Sequence, residues 1–370
     1  MLTQVRKPLN GLLRAPLASA LLSRLASPRR IDDYLELIDG SWSLDEIRAR
    51  VIDVRRETRD VTSLWLRPNE NWRGHRAGQH VQLTVTVDGV RRMRSFSLSH
   101  APASNGALRL TVKARDTGCV SRFVHEGVRV GDVVTLSAAQ GGFVLPERVP
   151  AKLLFVSGGS GLTPLVAMAQ QLVRDGYRGS LIWLHSERDA VPLVHELRAF
   201  ARQLPDMQLH VHRTSGGRNH VRPDLLAQLA PDWQQREAFV CGPRGLMTTV
   251  KALFAERALQ EHVHSESFQP EWQAVVPIRA LTGAGVKNRL VFAKSKIQSD
   301  ACGGVSLLDQ AEHAGLRPLH GCRMGICKTC VCTKLSGSVR NELTGEISDA
   351  RDEEIQLCIH TPLSDVSLDL

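Results

Sequence analysis

The hydrophobic pattern of this chain changes its period near Pro146–Pro150, and this change constrains the fold more than any other feature. Upstream, short segments rich in β-branched residues alternate apolar and polar positions, separated by turns such as Asp88-Gly89 and Asn105-Gly106. This pattern predicts a small antiparallel β-barrel. Downstream, apolar strands alternate with helical segments, beginning with KLLFVSG and LVAMAQQLV, which predicts a parallel α/β domain.

With 370 residues the chain is too long for one typical core, and these patterns divide it into five segments. We predict a basic helical extension, the barrel, the α/β domain, a linker and a C-terminal domain. Their predicted bounds are 1–48, 49–149, 150–269, 270–286 and 287–370. The linker is predicted from Pro270, Pro277 and Gly283–Gly285.

The formal net charge is +9, but the C-terminal part is close to neutral, so the surplus of positive charge lies upstream. Such a surplus suits nucleic acid, an anionic membrane or phosphate-bearing cofactors. No nucleic-acid motif is evident and aromatic residues are only 5%, so we predict no nucleic-acid partner. Four of the eight cysteines are scattered, unlike a secreted disulfide framework. We therefore expect a reducing, cytoplasmic location.

The N-terminal residues 1–31 contain no Asp or Glu, carry six Lys or Arg, and place leucines at roughly helical spacing. Three interpretations are open. The segment is a helical extension packed on the next domain, an amphipathic helix on a membrane surface, or an organelle transit peptide. No run of 18 apolar residues exists, so no membrane-spanning helix is expected.

Residues 320–334 read HGCRMGICKTCVCTK and crowd four cysteines together. Cys322-x4-Cys327-x2-Cys330, with the distant Cys358, matches the plant-type spacing of four [2Fe–2S] ligands. Zinc is the alternative, but zinc ribbons favour paired Cys-x2-Cys knuckles, and no second knuckle surrounds Cys358. We predict a [2Fe–2S] cluster.

Residues 287–370 resemble a plant-type ferredoxin, with SLLDQAEHAGL before the cysteine loop and QLCIHTPLSDVSLDL after it. The resemblance implies a β-grasp fold. Cys332 does not fit the ligand spacing, so we predict that it is a thiol outside the ligand set.

The barrel segment RSFSLS, residues 94–99, resembles the Arg-x-Tyr-Ser flavin motif of the ferredoxin–NADP reductase superfamily. The resemblance implies that Arg94 pairs with flavin phosphate, Phe96 stacks on the isoalloxazine ring, and Ser97 bonds near N5. Phe96 replaces the usual Tyr and lacks its hydroxyl. Gly118–Ser121 resembles the family's phosphate element, in which we predict that Ser121 caps a helix; a plain helix cap is the alternative.

The turn VSGGSGLTPLVAMA, residues 156–169, follows a predicted strand and opens a predicted helix, a place that favours phosphate. With Cys241-Gly242-Pro243 it resembles the nicotinamide-binding domain of the same superfamily. The resemblance places Cys241 and Ser97 beside the hydride transfer, and brings Glu266 and Phe268 towards flavin and nicotinamide. A small buried residue is the alternative interpretation of Cys241. The implied nucleotide contacts are Gly158, Gly159, Ser160, Gly161, Thr163, Pro164, Cys241, Gly242 and Pro243.

The segment HSERD, residues 185–189, follows the second parallel strand and bears on the choice of coenzyme. Ser186 and Arg188 suit a 2′-phosphate and favour NADPH, whereas Glu187 suits a ribose diol and favours NADH. We predict NADPH, with NADH as the alternative.

The order of the three domains resembles the phthalate dioxygenase reductase-like branch of the superfamily, over about residues 50–370. This implies electron transfer from NADPH through flavin and the cluster to a separate protein. We choose FAD over FMN because Gly118–Ser121 suits a pyrophosphate.

The basic N-terminal extension resembles that of bacterial reductases for membrane acyl-CoA or acyl-lipid desaturases, so we predict a membrane di-iron desaturase as the partner. Peripheral membrane contact would then run through residues 1–31. A Rieske-type oxygenase or other hydroxylase is the alternative acceptor, and a redox sensor or metal-binding interaction protein is the alternative class.

Overall fold

The structure is a computed structural model that describes residues 31–87, 90–115, 119–214, 223–268, 288–301, 304–321, 325, 328–342 and 344–370. It divides into two compact units, 1–266 and 267–370. The predicted barrel and α/β domain lie in the first unit, and the predicted ferredoxin domain lies in the second. Most of the predicted extension, residues 1–30, and the whole predicted linker lie outside the described residues.

The first sheet is the predicted antiparallel barrel. Its elements are β1 Ile47–Arg56, β2 Val61–Pro68, β3 His80–Val87, β4 Val90–Ser97, β5 Leu108–Lys113, helix α2 Cys119–Glu126 and β6 Val133–Leu136; helix α1, Ile31–Ile38, precedes them. The strands lie in the order β4-β3-β6-β1-β2-β5. The two edge strands are joined by a bridge between Leu98 and Leu110, so the sheet curls towards closure. Alternate apolar residues point inward, where Val120 and Val124 of α2 complete the core.

The described part of the N-terminal extension packs on the barrel. Asp32 of α1 accepts hydrogen bonds from Ser43 Oγ at 2.6 Å and from the Leu44 N–H at 2.8 Å. Asp39 forms an ion pair with Arg50 of β1 at 2.6 Å. Residues 31–46 are therefore part of the barrel domain, and the first strand begins two residues before the predicted boundary. No helix in the described part of the chain is long and apolar enough to cross a membrane.

The second sheet is the predicted parallel sheet. Its elements are β7 Lys152–Gly158, α3 Leu162–Arg174, β8 Ser180–Glu187, α4 Val194–Gln203, β9 Asp206–Arg213, α5 Pro223–Leu229, β10 Glu237–Cys241, α6 Arg244–Ala255 and β11 Val263–Glu266. The strand order is β11-β10-β7-β8-β9, and all neighbours are parallel. Helix α3 begins at Leu162, three residues before the predicted helix, because the 3₁₀ turn Gly159–Gly161 leads directly into it.

Helix α3 lies between the parallel sheet and the barrel. Gln170 accepts the Ala101 N–H of the barrel at 2.9 Å, and the Cε of Met168 comes 2.5 Å from the position that a Cβ would take at Gly78. Contact on both sides explains why residues 162–169 of this helix are buried all round.

The second unit contains a mixed sheet crossed by one helix, as a β-grasp fold requires. Its elements are β12 Asn288–Phe292, β13 Ile297–Ala301, α7 Leu307–His313, β14 Val331–Ser336, β15 Val339–Asn341, β16 Ile347–Ser348, β17 Glu353–Gln356, β18 His360–Pro362 and β19 Val366–Leu368. The larger sheet has the order β13-β12-β19-β14-β17, and the smaller one β16-β15-β18. Ser306 caps α7 by accepting the Asp309 N–H at 3.0 Å. The apolar face of α7 packs into the core with Leu290 and Phe292.

Candidate functional site

Two turns meet at the carboxyl edge of the parallel sheet, where the strand order reverses. Gly159–Gly161 follows β7 and Gly242-Pro243 follows β10, and these strands are neighbours. In open α/β sheets such a switch point is the usual place for a bound ligand. A Cβ on Gly161 would come 2.1 Å from the Cys241 carbonyl oxygen, so the turns pack backbone to backbone. Only glycine permits this approach.

The turn after β7 leads directly into the N-terminus of α3, where the Leu162 N–H bonds back to the carbonyl oxygens of Gly159 and Ser160. In the described part of the chain no side chain caps this helix at Gly161, or the preceding 3₁₀ turn at Gly158. Gly159 adopts a φ of +54° with open space beside its Cα. The N-terminal end of a helix carries a partial positive charge that attracts phosphate. The predicted contacts at Gly158, Gly159, Ser160, Gly161, Thr163 and Pro164 thus form one turn that fits the phosphates of a dinucleotide.

Cys241 ends β10 and is fully buried, while Gly242 and Pro243 lead outward. Burial, and secondarily the Glu266 carboxylate, raises the pKa of the Cys241 thiol well above its ordinary value. The group is therefore a neutral thiol at neutral pH. It pairs in register with Glu266 of β11, so the two predicted residues lie side by side.

The structure brings Ser97 of the barrel to the same place. Ser97 Oγ donates to Glu266 Oε2 at 3.3 Å, which joins the barrel to the last strand of the parallel sheet. His80 also contacts this carboxylate, with Nδ1 3.0 Å from Oε1. The sequence analysis missed His80, because it begins an ordinary alternating strand and carries no motif of its own.

The barrel surface around Ser97 holds polar atoms that lack protein partners. Among the described residues, Ser95 Oγ, His80 Nε2 and Gln140 Oε1 are buried without a hydrogen bond. Buried polar atoms are rarely left in this state, so their presence fits a polar cofactor bound against these strands. Arg94 is half-buried and donates to Met93 O at 2.8 Å, and Phe96 packs against the barrel core. The flavin contacts of Arg94 and Phe96 stay a prediction.

One detail of the predicted phosphate element is wrong. Helix α2 begins at Cys119, so Ser121 lies inside its first turn and does not cap it. Its Oγ instead accepts the Arg115 N–H at 3.2 Å, which ties the helix to the end of β5. Gly118 lies outside the described residues. The sequence around Ser121 does not predict this contact with Arg115, because the contact depends on the path of the loop before the helix.

The acidic residue of HSERD faces the barrel. Glu187 is 3% exposed; its Oε1 lies 3.1 Å from Lys113 Nζ and accepts the Arg188 N–H at 3.1 Å. Burial alone would lower the pKa of Lys113, but the Glu187 and Asp60 carboxylates outweigh it and raise that pKa. Glu187 is thus committed to an ion pair with the barrel.

Ser186 points to the opposite face of the strand. It pairs in register with His212 of β9, and both side chains carry a buried polar atom without a partner among the described residues. Arg188 is exposed just beyond them. Ser186 and Arg188 therefore remain available to a ligand at this edge, and Oε2 of Glu187 is likewise buried without a hydrogen bond among the described residues.

In the second unit, Cys330 and Cys358 are both buried in the core. The Leu357 N–H donates to Cys330 O at 3.0 Å, which sets the chain leading to Cys358 beside the end of the cysteine loop. Gln356 Nε2 donates to Gly325 O at 2.8 Å and fixes the loop itself. A cysteine at the end of the loop and a second one on the neighbouring segment, both buried, fit thiolate ligation of a cluster.

The structure describes only one of the three other cysteines in this segment, Cys332. Cys322 and Cys327 lie outside the described residues. Cys332 lies on β14, paired in register with Ile355, and its Sγ contacts Thr333 O at 3.6 Å. Phe268, predicted near the nicotinamide, follows β11 by two residues and is half-buried.

Three known families match successive parts of the chain. They are the oxidoreductase FAD-binding domain over residues 48–145, the oxidoreductase NAD-binding domain over 155–252, and the 2Fe-2S iron-sulfur cluster binding domain over 292–363. An NADPH oxidoreductase of Mycobacterium tuberculosis is 35% identical over 95% of this chain and 91% of its own length. The glycine betaine monooxygenase reductase subunit of Chromohalobacter salexigens is 28% identical over 89% and 96%.

Among solved structures, phthalate dioxygenase reductase matches with a TM-score of 0.58. The match covers 88% of this chain and 98% of that protein at 23% identity. This likeness shows that the fold is shared across all three domains.

Proposed function

We propose that this chain is an electron-transfer reductase. It belongs to the ferredoxin–NADP reductase superfamily, in the phthalate dioxygenase reductase-like branch that ends in a [2Fe–2S] domain. It is an NAD(P)H-dependent oxidoreductase. We infer that it takes electrons from NADPH and passes them one at a time, through FAD and the cluster, to a partner oxygenase. The observation that carries this proposal is the meeting of Ser97, Cys241 and Glu266 at the junction of the barrel and the parallel sheet.

When bound, FAD accepts a two-electron hydride and can release electrons singly, which is what a [2Fe–2S] centre requires. The residues of this chain bind and orient the coenzyme and the flavin. The turn Gly158–Thr163 binds the phosphates of the coenzyme and directs its nicotinamide towards Cys241. Arg94 and Phe96 hold the flavin from the barrel side.

The place where nicotinamide and flavin meet is lined by Cys241, Ser97 and Glu266. The neutral Cys241 thiol fills this place without adding charge, and its burial helps to exclude water. The Ser97 hydroxyl donates to Glu266, and the carboxylate can hold or return a proton at this oxygen. Pairing Ser97 from the barrel with Glu266 from β11 holds the two domains in one arrangement.

The visible spectrum of the purified protein tests this function. We expect flavin and [2Fe–2S] bands, both bleached by NADPH under anaerobic conditions, and reduction of a one-electron acceptor such as cytochrome c. Extraction and chromatography should identify the flavin as FAD. A colourless protein that contains zinc would contradict the proposal and favour a metal-binding interaction protein. Bands that NADPH leaves unchanged would favour a sensor.

We further propose NADPH as the coenzyme, because Lys113 holds one oxygen of Glu187 in an ion pair and the Arg188 side chain is exposed beside it. A hydrogen bond between charged groups contributes about 1.5–3 kcal/mol, so Arg188→Ala should raise the KM for NADPH on the order of 10- to 100-fold. The KM for NADH should change little. Steady-state kinetics with both coenzymes measures this, and Arg198→Ala on the exposed side of α4 is the control. An equal rise for both coenzymes would contradict the assignment.

The acceptor that we propose is a membrane di-iron desaturase, supported by the basic, leucine-rich residues 1–30. Deleting residues 1–30 should abolish binding to anionic lipid vesicles and leave NADPH–cytochrome c activity unchanged. The deletion must stop at residue 30, because residues 31–46 pack on the barrel. Sedimentation with vesicles measures the binding.

If the shortened protein sediments as the full chain does, the membrane proposal fails. The names of the relatives then favour the second candidate, the reductase component of a soluble oxygenase, since one relative is the reductase subunit of glycine betaine monooxygenase.

A further inference from the structure

His80 is a buried histidine to which no motif assigns a role. It begins β3 of the barrel, is 5% exposed, and places Nδ1 3.0 Å from Oε1 of Glu266. Among the described residues its other nitrogen, Nε2, is buried without a partner. The unpaired Nε2 fits a polar cofactor bound beside it, and Nδ1 is the ring nitrogen that contacts the protein.

The partner of His80 Nδ1 is the carboxylate of Glu266. Its side chain is 12% exposed, and a carboxylate so poorly hydrated needs hydrogen-bond donors. One oxygen contacts His80 and the other accepts from Ser97. His80 and Ser97 are themselves directly paired across β3 and β4, so the carboxylate lies over two adjacent strands of the barrel.

The histidine is held firmly in place. Its backbone N–H donates to Gln140 O at 3.0 Å, and the Gln140 N–H donates back to His80 O at 2.9 Å. Gly141 leaves the space that the contact needs, since a Cβ there would come 2.9 Å from His80 Nδ1 and 3.4 Å from Glu266 Oε1. Gly141 also has a φ of +102°, which disfavours any other residue.

Glu266, in contrast, needs to be held. It ends β11, which pairs only with β10 among the strands that the structure describes, and it is the last residue of the first unit. Without a donor on Oε1, rotation of the side chain would move Oε2 away from Ser97. The ring of His80, fixed on the barrel, prevents this rotation.

We propose that His80 is a positioning residue: its Nδ1–H holds Oε1 of Glu266, so that Oε2 remains on the Ser97 hydroxyl. This rests on the proposed function, which places Ser97 and Glu266 at the hydride transfer. The proposal makes two claims that can be tested separately. One concerns the tautomer of His80, and the other concerns its coupling to Glu266.

The first test needs no turnover. In the oxidised holoprotein labelled with ¹⁵N-histidine, the His80 signal is identified by its loss in His80→Asn. We expect the Nδ1-protonated tautomer, with nitrogen shifts that change in Glu266→Gln and not in His195→Asn, a control on exposed α4. A His80 ring protonated on Nε2 alone would overturn the proposal, and so would nitrogen shifts of His80 that stay the same in Glu266→Gln. Neither outcome depends on whether the protein reduces an oxygenase.

The second test is a double-mutant cycle on the rate of flavin reduction by NADPH, measured by stopped flow. His80→Leu should slow the reduction on the order of 10-fold, because a misplaced group near the reaction is costly. His80→Asn, whose amide can donate from the position of Nδ1, should recover most of the rate. In the Glu266→Gln background, His80→Leu should have no further effect.

Equal losses from His80→Leu in both backgrounds would show a role unrelated to Glu266 and would overturn the proposal. So would failure of His80→Asn to recover the rate while flavin content and melting temperature match those of the wild type. If the wild-type flavin is not reduced by NADPH at all, the proposed function fails, and the tautomer measurement alone decides the role of His80.

Discussion

Cys358→Ser is expected to lose the iron–sulfur centre and, with it, electron transfer to any external one-electron acceptor. Cys358 is buried in the core of the second unit, and the Leu357 N–H beside it bonds to Cys330 O at 3.0 Å. A serine there offers a harder, poorly ionised ligand, and iron–sulfur clusters are held by thiolates. Iron and sulfide content and the visible spectrum measure the loss. Flavin reduction by NADPH should persist, because it does not pass through the cluster.

The matched control is Cys332→Ser. Cys332 lies on β14 opposite Ile355, with its Sγ at Thr333 O, and we propose that it is not a ligand. This variant should keep its iron and its spectrum. Loss of the cluster from Cys332→Ser together with a normal cluster in Cys358→Ser would reverse the assignment of the fourth ligand.

Gly161→Ala is expected to abolish the use of NADPH with little effect on the bound flavin. The new Cβ would stand 2.1 Å from Cys241 O and 2.7 Å from the Gly242 nitrogen, both backbone atoms that cannot turn aside. The two turns must separate, which displaces the phosphate-binding turn and Cys241 together. A displacement of about 1 Å near the reaction costs on the order of 100-fold, so flavin reduction should slow by at least that factor. Stopped-flow reduction by NADPH measures the rate.

Gly245→Ala provides the control, since it lies in the first turn of α6 with no atom within 4 Å of the new Cβ. It should leave the rate unchanged and slightly favour the helix. Dithionite should reduce flavin and cluster normally in both variants. A normal NADPH rate in Gly161→Ala would show that the approach of the two turns is not needed for coenzyme binding.

Much of the fold follows from short-range patterns. The strand β7 coincides with the predicted segment KLLFVSG, since a continuous apolar run bounded by turns is a local signal. The start of α3 was placed three residues late, because the sequence does not show that the glycine turn continues directly into the helix. The Ser121 cap failed for a related reason, since the start of α2 depends on the loop before it.

In the candidate site, too, some features are visible in the sequence and others depend on tertiary contacts. The spacing of Cys322, Cys327, Cys330 and Cys358, and the glycine turn at Gly158–Gly161, are visible in the sequence because backbone geometry and ligand count require particular residue types at particular intervals. For Glu187 the residue type alone favoured NADH. The structure pairs one of its oxygens with Lys113, 74 residues away, a contact that the residue type does not predict.

Local patterns therefore suffice to predict the three kinds of domain, their order and the residue types of the cofactor motifs, because each depends on neighbours within a few positions. Which side chains meet between the domains depends on tertiary packing. His80 and Glu266 are 186 residues apart, and their contact exists because barrel and parallel sheet pack together at this junction. A residue whose role depends on such packing carries no local pattern from which that role can be predicted.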